Sequence, residues 1–380
     1  MENRLNPNSN RRYQVGAAGA ANPYDGRLTV MPEIGGKLGP NVVQSLIGEG
    51  GSASVFEVWH EELEVMRAVK IIKHGYRADA RERFFTEAKI LADIRHPNII
   101  EIHDLGYIDD HIPYLEMELV DGVSIKNLIT GRGRIPFAAA LSVAYFICQA
   151  LHYAHTKDYT LYGKIYRGLI HRDVKPENIL ISQSGIVKLM DFGIARPSEV
   201  SLHTVGSKVM GTLVYLSPEQ LNGHPLDRRS DIFSLGTVLY EMIIGARAFP
   251  QKTLSELAQK KTAGLYRSLN SYGMDFPARL ASAIDKSLRL NPEDRYGCAA
   301  EMGYDIYSTL REISDMSPHD ILSNYMRDPN SIPHWTPSEQ SKHKPQRTDA
   351  GSEKKTTPWA IIVAAAAGVA ISGLVMLIFL

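Results

Sequence analysis

Three short clusters of glycine and polar residues, in a fixed order along 380 residues, constrain this chain more than any other feature. The first is the glycine-rich segment 48–55, which is followed on the next predicted strand by Lys70. The second is the segment 171–178, His-Arg-Asp-Val-Lys-Pro-Glu-Asn, and the third is Asp-Phe-Gly at 191–193. Glycines at a hairpin tip let backbone amides approach an anion, and a lysine on the adjacent strand can reach the same anion.

The two later clusters supply oxygen ligands and a cation. Asp173, Lys175 and Asn178 lie within six positions, and Asp191 comes directly after a predicted strand at 186–190. Carboxylate and amide oxygens suit magnesium, and a lysine beside them suits a transferring phosphoryl group. No purely structural role explains all three clusters in this order, so the sequence indicates phosphate chemistry.

Hydrophobic periodicity divides the body of the chain into two parts. Residues 41–72 alternate in the manner of three antiparallel strands, and a helix at 77–94 precedes strands at 99–105 and 114–120. The later part has helical periodicity, which predicts helices at 124–129, 137–155, 230–244, 254–261, 278–288 and 298–313. We therefore expect an α+β chain, with a small sheet and one helix first and a mostly helical part after it.

The last 21 residues form an uncharged apolar run. As a helix, residues 360–380 would span about 31 Å, the thickness of a bilayer core. Trp359 lies where an interfacial aromatic residue belongs, and the lysines and arginines before it mark the upstream side as cytoplasmic. We predict a transmembrane helix at 359–380, a juxtamembrane linker at 314–358 and a flexible N-terminal tail at 1–40.

Composition excludes several classes of protein. Lys plus Arg and Asp plus Glu both number 42, so no net charge would steer the chain onto nucleic acid. The two cysteines, Cys148 and Cys298, have no partners at metal-ligand spacing, which argues against a disulfide framework and a zinc module. Such cysteine usage is typical of a reducing compartment.

In its three clusters the chain resembles the eukaryotic-type (Hanks-type) protein kinase family, whose glycine-rich loop, strand lysine, His-Arg-Asp loop and Asp-Phe-Gly motif occur in this order. The resemblance implies a bilobal fold over 41–313, with a small β-rich N-lobe at 41–120 and a larger helical C-lobe at 121–313. The strings at 191–196 and 215–220 look more like bacterial members than animal ones. The predicted transmembrane helix would then lie in a bacterial cell membrane.

The resemblance also implies catalytic roles, with ATP and Mg2+ as cofactors. Lys70 would hold the α- and β-phosphates and pair with Glu87 of the N-lobe helix. Asp173 would accept or orient the proton of the substrate hydroxyl, and Lys175 would neutralise the γ-phosphate.

The segment 116–120 matches the hinge of the family. There the backbone of Glu118 and Val120 would hydrogen-bond adenine behind a Met117 gatekeeper. By resemblance, Asn178 and Asp191 would bind magnesium. The residues expected to contact ATP are Ile47, Gly48, Glu49, Gly50, Gly51, Val55, Ala68, Lys70, Met117, Glu118, Val120 and Leu180.

The resemblance further implies control through an activation segment. Arg172 precedes the expected catalytic aspartate, and in kinases of this type such an arginine pairs with a phosphate on that segment. Thr204 and Ser207 lie at a suitable distance for this phosphate, and we expect autophosphorylation at Thr204. Lys175, two residues after Asp173, and Thr212, in a Gly-Thr pair, resemble the residues at these positions in serine/threonine kinases rather than in tyrosine kinases.

Three other features follow from the comparison with the family. Glu219 should pair with Arg295, and Asp231 should brace the catalytic loop. Residues 156–167 are an insertion before the catalytic loop. It is open to two interpretations, a docking surface for a partner or a surface loop tolerated for its low closure cost.

The leading hypothesis is a membrane-tethered serine/threonine protein kinase in signal transduction, with protein substrates and the bilayer as partners and homodimers for phosphorylation in trans. A pseudokinase that binds partners at the membrane is the alternative, and a kinase-fold enzyme for small molecules ranks last. The intact set Lys70, Glu87, Asp173, Asn178 and Asp191 favours the active kinase.

Overall fold

Antiparallel pairing joins the first six strands into one sheet. The structure, a computed structural model, describes residues 31–50, 53–72, 78–108, 112–193, 213–251, 253–273 and 276–332. The strands are β1 (Lys37–Leu38), β2 (Asn41–Glu49), β3 (Ala53–His60), β4 (Val65–Ile72), β5 (Ile102–Ile108) and β6 (Ile112–Glu118). Their order in the sheet is β1-β2-β3-β4-β6-β5. The strands predicted within 41–72, 99–105 and 114–120 are thus confirmed.

Alternation along these strands builds the N-lobe core. Phe56 and Val58 of β3 lie on the same face as Val69 and Ile71 of β4, and all four are buried in one apolar cluster. Side chains two residues apart share a face of a strand, so the period of two in the sequence produces this layer.

One helix, α1 (Ala78–Ala92), packs on the sheet and confirms the helix predicted at 77–94. Phe84 and Ala88, four residues apart on one helical face, are buried against Leu115 of β6. Within this helix, the side chains of residues 78–83 and of residue 87 lie outside the description.

The C-lobe is mostly helical. Its helices are α2 (Ile125–Arg132), α3 (Phe137–Thr156), α4 (Pro218–Leu221), α5 (Arg229–Ile244), α6 (Leu254–Thr262), α7 (Ala278–Ser287), α8 (Ala299–Ile313) and α9 (Pro318–Arg327). The six predicted helices are confirmed to within a few residues, whereas α4 and α9 were not predicted. Of the helices in the described ranges, α3 alone is long and apolar enough to cross a membrane, but 67% of its apolar window is buried in protein. We therefore interpret α3 as a core helix of this lobe.

Two small antiparallel sheets complete the C-lobe. Strands β7 (Gly122–Ser124), β10 (Ile179–Ser182) and β11 (Val187–Leu189) form one of them. Strands β8 (Asp158–Leu161) and β9 (Lys164–Arg167) form the other. Strand β10 follows the segment 171–178 and β11 precedes Asp191, so the first of these sheets brings the second and third sequence clusters together.

The structure differs from the sequence prediction at both ends of this domain. The tail expected over 1–40 contains β1, whose Leu38 is buried and pairs with Asn41. The linker expected over 314–358 contains α9, which packs on α3. Ser317 and Pro318 look like linker residues, but Ser317 caps α9 by accepting a hydrogen bond from Asp320 N at 3.1 Å, and proline is favoured at the first helical position.

Helix α9 is an integral part of the C-lobe core. Ile321, Leu322 and Tyr325 are at most 1% exposed. The turn between β10 and β11 lies so close to α9 that a Cβ atom at Gly185 would come within 2.4 Å of Ser323 N. A glycine is required there for space and for its φ of +86°.

We predict that Leu322→Ala lowers the free energy of unfolding of the full chain by about 2–5 kcal/mol, because it leaves a cavity under α9. Urea denaturation followed by circular dichroism measures this change. His319→Ala, an exposed position on the same helix, should stay within about 0.5 kcal/mol of the parent. Equal unfolding midpoints for Leu322→Ala and the parent chain would show that residues 318–327 act as a linker.

Candidate active site

The strand lysine meets the aspartate of the third cluster. In β4, Lys70 pairs with Val55 of β3 on one side and Leu115 of β6 on the other. Its Nζ lies 2.7 Å from Asp191 Oδ1. Burial disfavours the charged form of Asp191, but the charge and hydrogen bond of Lys70 and the charge of Lys175 outweigh it, so the pKa of Asp191 lies below its ordinary value. Asp191 is therefore an anion at neutral pH.

The backbone around Asp191 is held in an uncommon conformation. Asp191 has a φ of +57°, a left-handed value that costs a non-glycine residue about 1–3 kcal/mol. Two contacts hold the segment after it: the buried Phe192 ring packs 4.3 Å from the ring of His171, and Gly193 N donates to His171 O at 2.7 Å. Such strain is maintained only where surrounding contacts fix the chain, and it is frequent at functional sites.

In the second cluster, two polar side chains converge on one carboxylate. Lys175 Nζ lies 2.8 Å from Asp173 Oδ2. Asn178 Nδ2 donates to the same oxygen at 3.1 Å and to Asp173 O at 2.9 Å. Asp173 is buried to 7% exposure. Its carboxylate is therefore held in a fixed position, with a cation beside it.

His171 is held in one neutral form. Its Nδ1 accepts a hydrogen bond from Asp173 N at 3.2 Å, and its Nε2 lies 3.1 Å from Met190 O. The carbonyl can only accept, so the proton is on Nε2. Burial lowers the pKa of His171, against the opposing charges of Asp231 and Asp173. The imidazole thus stays neutral and connects the second cluster to the strand that leads into the third.

A buried carboxylate of α5 supports the whole segment. Asp231 Oδ2 accepts from His171 N at 2.7 Å and Oδ1 accepts from Arg172 N at 2.8 Å. His155 Nε2 of α3 lies 2.8 Å from Oδ2 and must carry a proton, since an ionised carboxylate only accepts. Burial raises the pKa of Asp231, but the hydrogen bond and charge of His155 and the contacts of His171 overcome it, and the net pKa is lowered. The brace expected of Asp231 is present.

The donor set near Asp191 fits magnesium rather than a self-contained metal cage. Asn178 uses its amide nitrogen on Asp173, and its Oδ1 accepts no hydrogen bond from the described residues. Within the same ranges there is no group of three or more His, Cys, Asp or Glu that could hold a metal. Magnesium is usually held by one or two protein oxygens together with substrate phosphates, which is what Asn178 Oδ1 and Asp191 offer.

An apolar cluster involves the strand that carries Lys70. Ala68 of β4 and Met117 of β6 are buried together, with Val55, Leu119 and Val120 packed against them. Leu180 lies half-buried on β10. Of the residues expected to contact ATP, Val55, Ala68, Met117 and Val120 share this cluster.

The glycine-rich segment 48–55 and the segment 116–120 each contribute residues to this cluster. In the loop, Gly50 N donates to Ala53 O at 2.9 Å, Ile47 is half exposed, and Gly48 and Glu49 pair with β3. Glu118 N donates to Glu101 O at 2.9 Å, and the Glu118 side chain pairs with Lys188 at 2.8 Å. Gly51, the Glu87 side chain, Thr204, Ser207 and Thr212 lie outside the described residues.

Comparison with known proteins decides the family. Residues 42–305, more than two thirds of the chain, match the family described as Protein kinase domain. This chain belongs to the protein kinase family.

Bacterial serine/threonine kinases are among its relatives. A probable serine/threonine-protein kinase of Clostridium acetobutylicum is 35% identical over 288 residues, covering 75% of this chain and 40% of that protein. PknB of Mycobacterium tuberculosis is 36% identical over 270 residues, covering 69% and 41%. PrkC of Bacillus subtilis is 35% identical over 263 residues, covering 69% and 39%. The chain spans about two fifths of the length of these curated relatives.

A solved structure agrees with this assignment. The kinase domain of PknI from Mycobacterium tuberculosis superposes with a TM-score of 0.57 at 26% identity, covering 73% of this chain and 99% of that domain. The chain therefore carries a bilobal kinase domain similar to those of bacterial serine/threonine kinases.

Beyond the phosphate site, the kinase domain is secured by a buried ion pair. Arg295 contacts Glu219 through both guanidinium nitrogens, at 2.7 and 2.8 Å, and Ser230 Oγ donates to Glu219 at 2.7 Å. Burial raises the pKa of Glu219, but the hydrogen bonds and charge of Arg295 lower it by more than burial raises it, so the carboxylate stays charged. The predicted pairing of Glu219 with Arg295 is present in the structure.

Sequence reasoning missed several residues that hold the kinase site. Gln220 Nε2 donates to Arg172 O at 2.9 Å, which restrains the left-handed Arg172, whose φ is +66°. Lys261 is almost fully buried, donates to Leu216 O and lies 5.0 Å from the ring of Phe249. Burial lowers the pKa of Lys261. No local pattern predicts the two hydrogen bonds, because each joins residues that are more than 40 positions apart.

We predict that Asp231→Asn lowers the free energy of unfolding by about 3–5 kcal/mol at pH 7, because an amide cannot accept three hydrogen bonds from these donors. The pKa of Asp231 is depressed in the folded state. Its contribution is therefore complete above the unfolded pKa of about 4 and is lost as pH falls below that value.

Urea denaturation at several pH values, with Asp93→Asn as an exposed control, measures both effects. The Asp231→Asn chain should start less stable than the parent and lose less stability on acidification. Parallel stability–pH curves for the parent and Asp231→Asn would rule out a charged Asp231 as the brace.

Proposed function

We propose that this chain is a membrane-anchored protein serine/threonine kinase that transfers the γ-phosphoryl group of Mg-ATP to hydroxyl groups of proteins. One observation carries the proposal: the structure forms two lysine–aspartate pairs, Lys70 with Asp191 at 2.7 Å and Lys175 with Asp173 at 2.8 Å, and Lys70 shares strand β4 with Ala68 of the apolar cluster around Met117. Phosphoryl transfer requires mainly positioning and charge neutralisation, and these pairs offer both.

In the proposed reaction, Asp173 accepts a hydrogen bond from the substrate hydroxyl and takes its proton while the oxygen bonds to the γ-phosphorus. The bond from that phosphorus to the bridging oxygen breaks, and ADP leaves. Lys175 neutralises the γ-phosphoryl oxygens from beside Asp173. Lys70, paired with Glu87, orients the α- and β-phosphates. Magnesium, when bound by Asn178 and Asp191, supplies charge neutralisation at the phosphates.

For the nucleotide, we propose that Ile47, Val55, Ala68 and Leu180 enclose the adenine ring. The backbone of Glu118 and Val120 hydrogen-bonds its edge behind Met117, and glycines 48, 50 and 51 with Glu49 cover the phosphates. The buried cluster of Ala68 and Met117 supports this assignment.

Control through the activation segment is part of the proposal. Arg172 receives a phosphate carried by Thr204 or Ser207, and Thr212 with Lys175 sets serine/threonine specificity. The left-handed conformation of Arg172, held by Asp231 and Gln220, supports a fixed position for this guanidinium-bearing residue. Phosphorylation in trans within a homodimer would then couple activity to local concentration.

We also propose the arrangement of the chain. The kinase domain covers 41–313, with lobes at 41–120 and 121–313, and is extended by β1 and α9. A juxtamembrane linker follows α9 and leads to a single transmembrane helix at 359–380 in the bacterial cell membrane. The uncharged run at 360–380 and the basic residues before it support a cytoplasmic kinase domain.

We predict that Asp173→Asn reduces transfer of labelled phosphate from Mg-ATP to a generic basic protein by about 10²–10⁴-fold, because the proton acceptor is lost. Asp315→Asn, an exposed carboxylate after α8, should leave the rate unchanged. Phosphopeptide mapping of the active chain should find phosphate at Thr204 or Ser207. ATP binding without transfer by the parent chain would refute catalysis and favour a scaffold.

We predict that the double substitution Val369→Lys, Ile371→Lys moves the chain from the membrane fraction to the soluble fraction. Each lysine near the centre of the span costs about 2.5–3.5 kcal/mol. Fractionation of cells that express each variant measures this, with Val369→Leu, Ile371→Leu as the matched control. Retention of the lysine variant in the membrane after a carbonate wash would contradict the proposed anchor.

A further inference from the structure

The insertion at 156–167 is a defined hairpin. Strands β8 and β9 pair in one register, in which Tyr159 lies opposite Tyr166 and Leu161 opposite Lys164. The two-residue turn between them has a φ of +50° at Tyr162 and +73° at Gly163, as a type I′ turn requires. The insertion is thus a regular hairpin with a defined turn at its tip.

The base of this hairpin is fixed to the C-lobe. Gly168 N donates to Lys157 O at 3.1 Å, and Leu169 N donates to Ala154 O at 2.7 Å. Gly168 has a φ of +71°, and a Cβ atom there would lie 2.4 Å from His155 O. The chain that leaves the hairpin therefore turns directly beside His155, one of the donors to Asp231.

One face of the hairpin packs on the catalytic lobe. Tyr159 and Leu161 of β8 are half-buried against the main core, and the rings of Tyr159 and Tyr166 stack at 5.5 Å with a 14° angle. Burial and the neighbouring Tyr166 raise the pKa of Tyr159, whereas the charge of Arg172 lowers it. This face of the hairpin is therefore anchored on the core of the C-lobe.

The tip of the hairpin reaches the other lobe. Strand β8 is in contact with helix α1, and Lys89 Nζ of that helix lies 4.8 Å from the centroid of the Tyr162 ring. This distance is within the range of a cation–π interaction. Lys89 is two residues after Glu87, the proposed partner of Lys70, on the same helix.

We infer that the hairpin 158–167 is a positioning element that ties helix α1 to the C-lobe beside His155 and so holds in place the helix that carries Glu87. The role rests on the proposed kinase function. It differs from both expectations for the insertion, since it rests on contacts within the chain that join the two lobes.

The test separates the ring of Tyr162 from the turn it occupies. Tyr162→Asn removes the ring but keeps the turn, because Asn-Gly is the pair that type I′ turns favour most. Tyr162→Phe keeps an aromatic face toward Lys89. Ile165→Thr, at a position 72% exposed on β9, is a control within the same hairpin. Lys89→Met and the double variant Lys89→Met, Tyr162→Asn complete a cycle that isolates the pair.

Hydrogen–deuterium exchange of the 78–92 amides in the full chain is the first readout. We expect Tyr162→Asn to raise exchange in this helix by about two- to fivefold, as loss of one exposed cation–π contact allows. Tyr162→Phe and Ile165→Thr should match the parent, and the double variant should exceed neither single one. The inference would be overturned by unchanged exchange in Tyr162→Asn. It would also be overturned if the increases in exchange of the two single variants multiplied in the double variant.

Steady-state kinetics are the second readout. With Tyr162→Asn, kcat should fall by about two- to fivefold while the KM for the protein substrate stays the same, because the change acts on the position of α1 and not on the substrate surface. Faster exchange with an unchanged kcat would refute a role in catalysis. A parent chain that transfers no phosphate would refute the proposed function instead, and the exchange data would still decide whether the hairpin holds α1.

Discussion

The geometry of the site depends on one buried carboxylate, that of Asp231. It accepts two backbone hydrogen bonds from the catalytic loop and a third from His155, so a single side chain on α5 determines where His171 and Arg172 lie. A fully buried anion is costly unless its hydrogen bonds are satisfied, and here three donors surround it. The same contacts that make the charge tolerable also make the loop rigid.

His171 connects this hydrogen-bonded loop to Asp173 and to the segment that contains Asp191. Its Nδ1 accepts from Asp173 N, its Nε2 donates to Met190 O, and its ring packs against Phe192. The neutral imidazole therefore links the Asp173 loop to the segment between β11 and Asp191. Left-handed conformations at Arg172 and Asp191 are uncommon for such residues, and they persist because the chain on both sides is hydrogen-bonded.

Sequence reasoning succeeded where chemistry is local and failed where packing is not. The Asp173, Asn178 and Asp191 set could be read from spacing, and the pairing of Glu219 with Arg295 from the family pattern. Helix α9 was missed because Ser317 and Pro318 begin a helix as readily as they mark a linker. The hairpin was missed because its turn, Tyr162-Gly163, lacks the usual Asn-Gly pair. Buried Lys261 belongs to a tertiary contact with Leu216, which no sequence period encodes.

The ion pair of Lys70 with Asp191 joins the two lobes, and it is accessible enough for its partners to be exchanged. Their side chains are 18% and 34% exposed, so solvent and ions can reach both. Since Lys70 keeps the pKa of Asp191 low, the carboxylate is already an anion before any metal arrives. Under the proposed function, Asp191 would exchange this ammonium group for Mg2+ without releasing a proton, and Lys70 would contact the nucleotide phosphates. A solvent-accessible ion pair between the two lobes therefore suits the proposed binding and release of Mg-ATP.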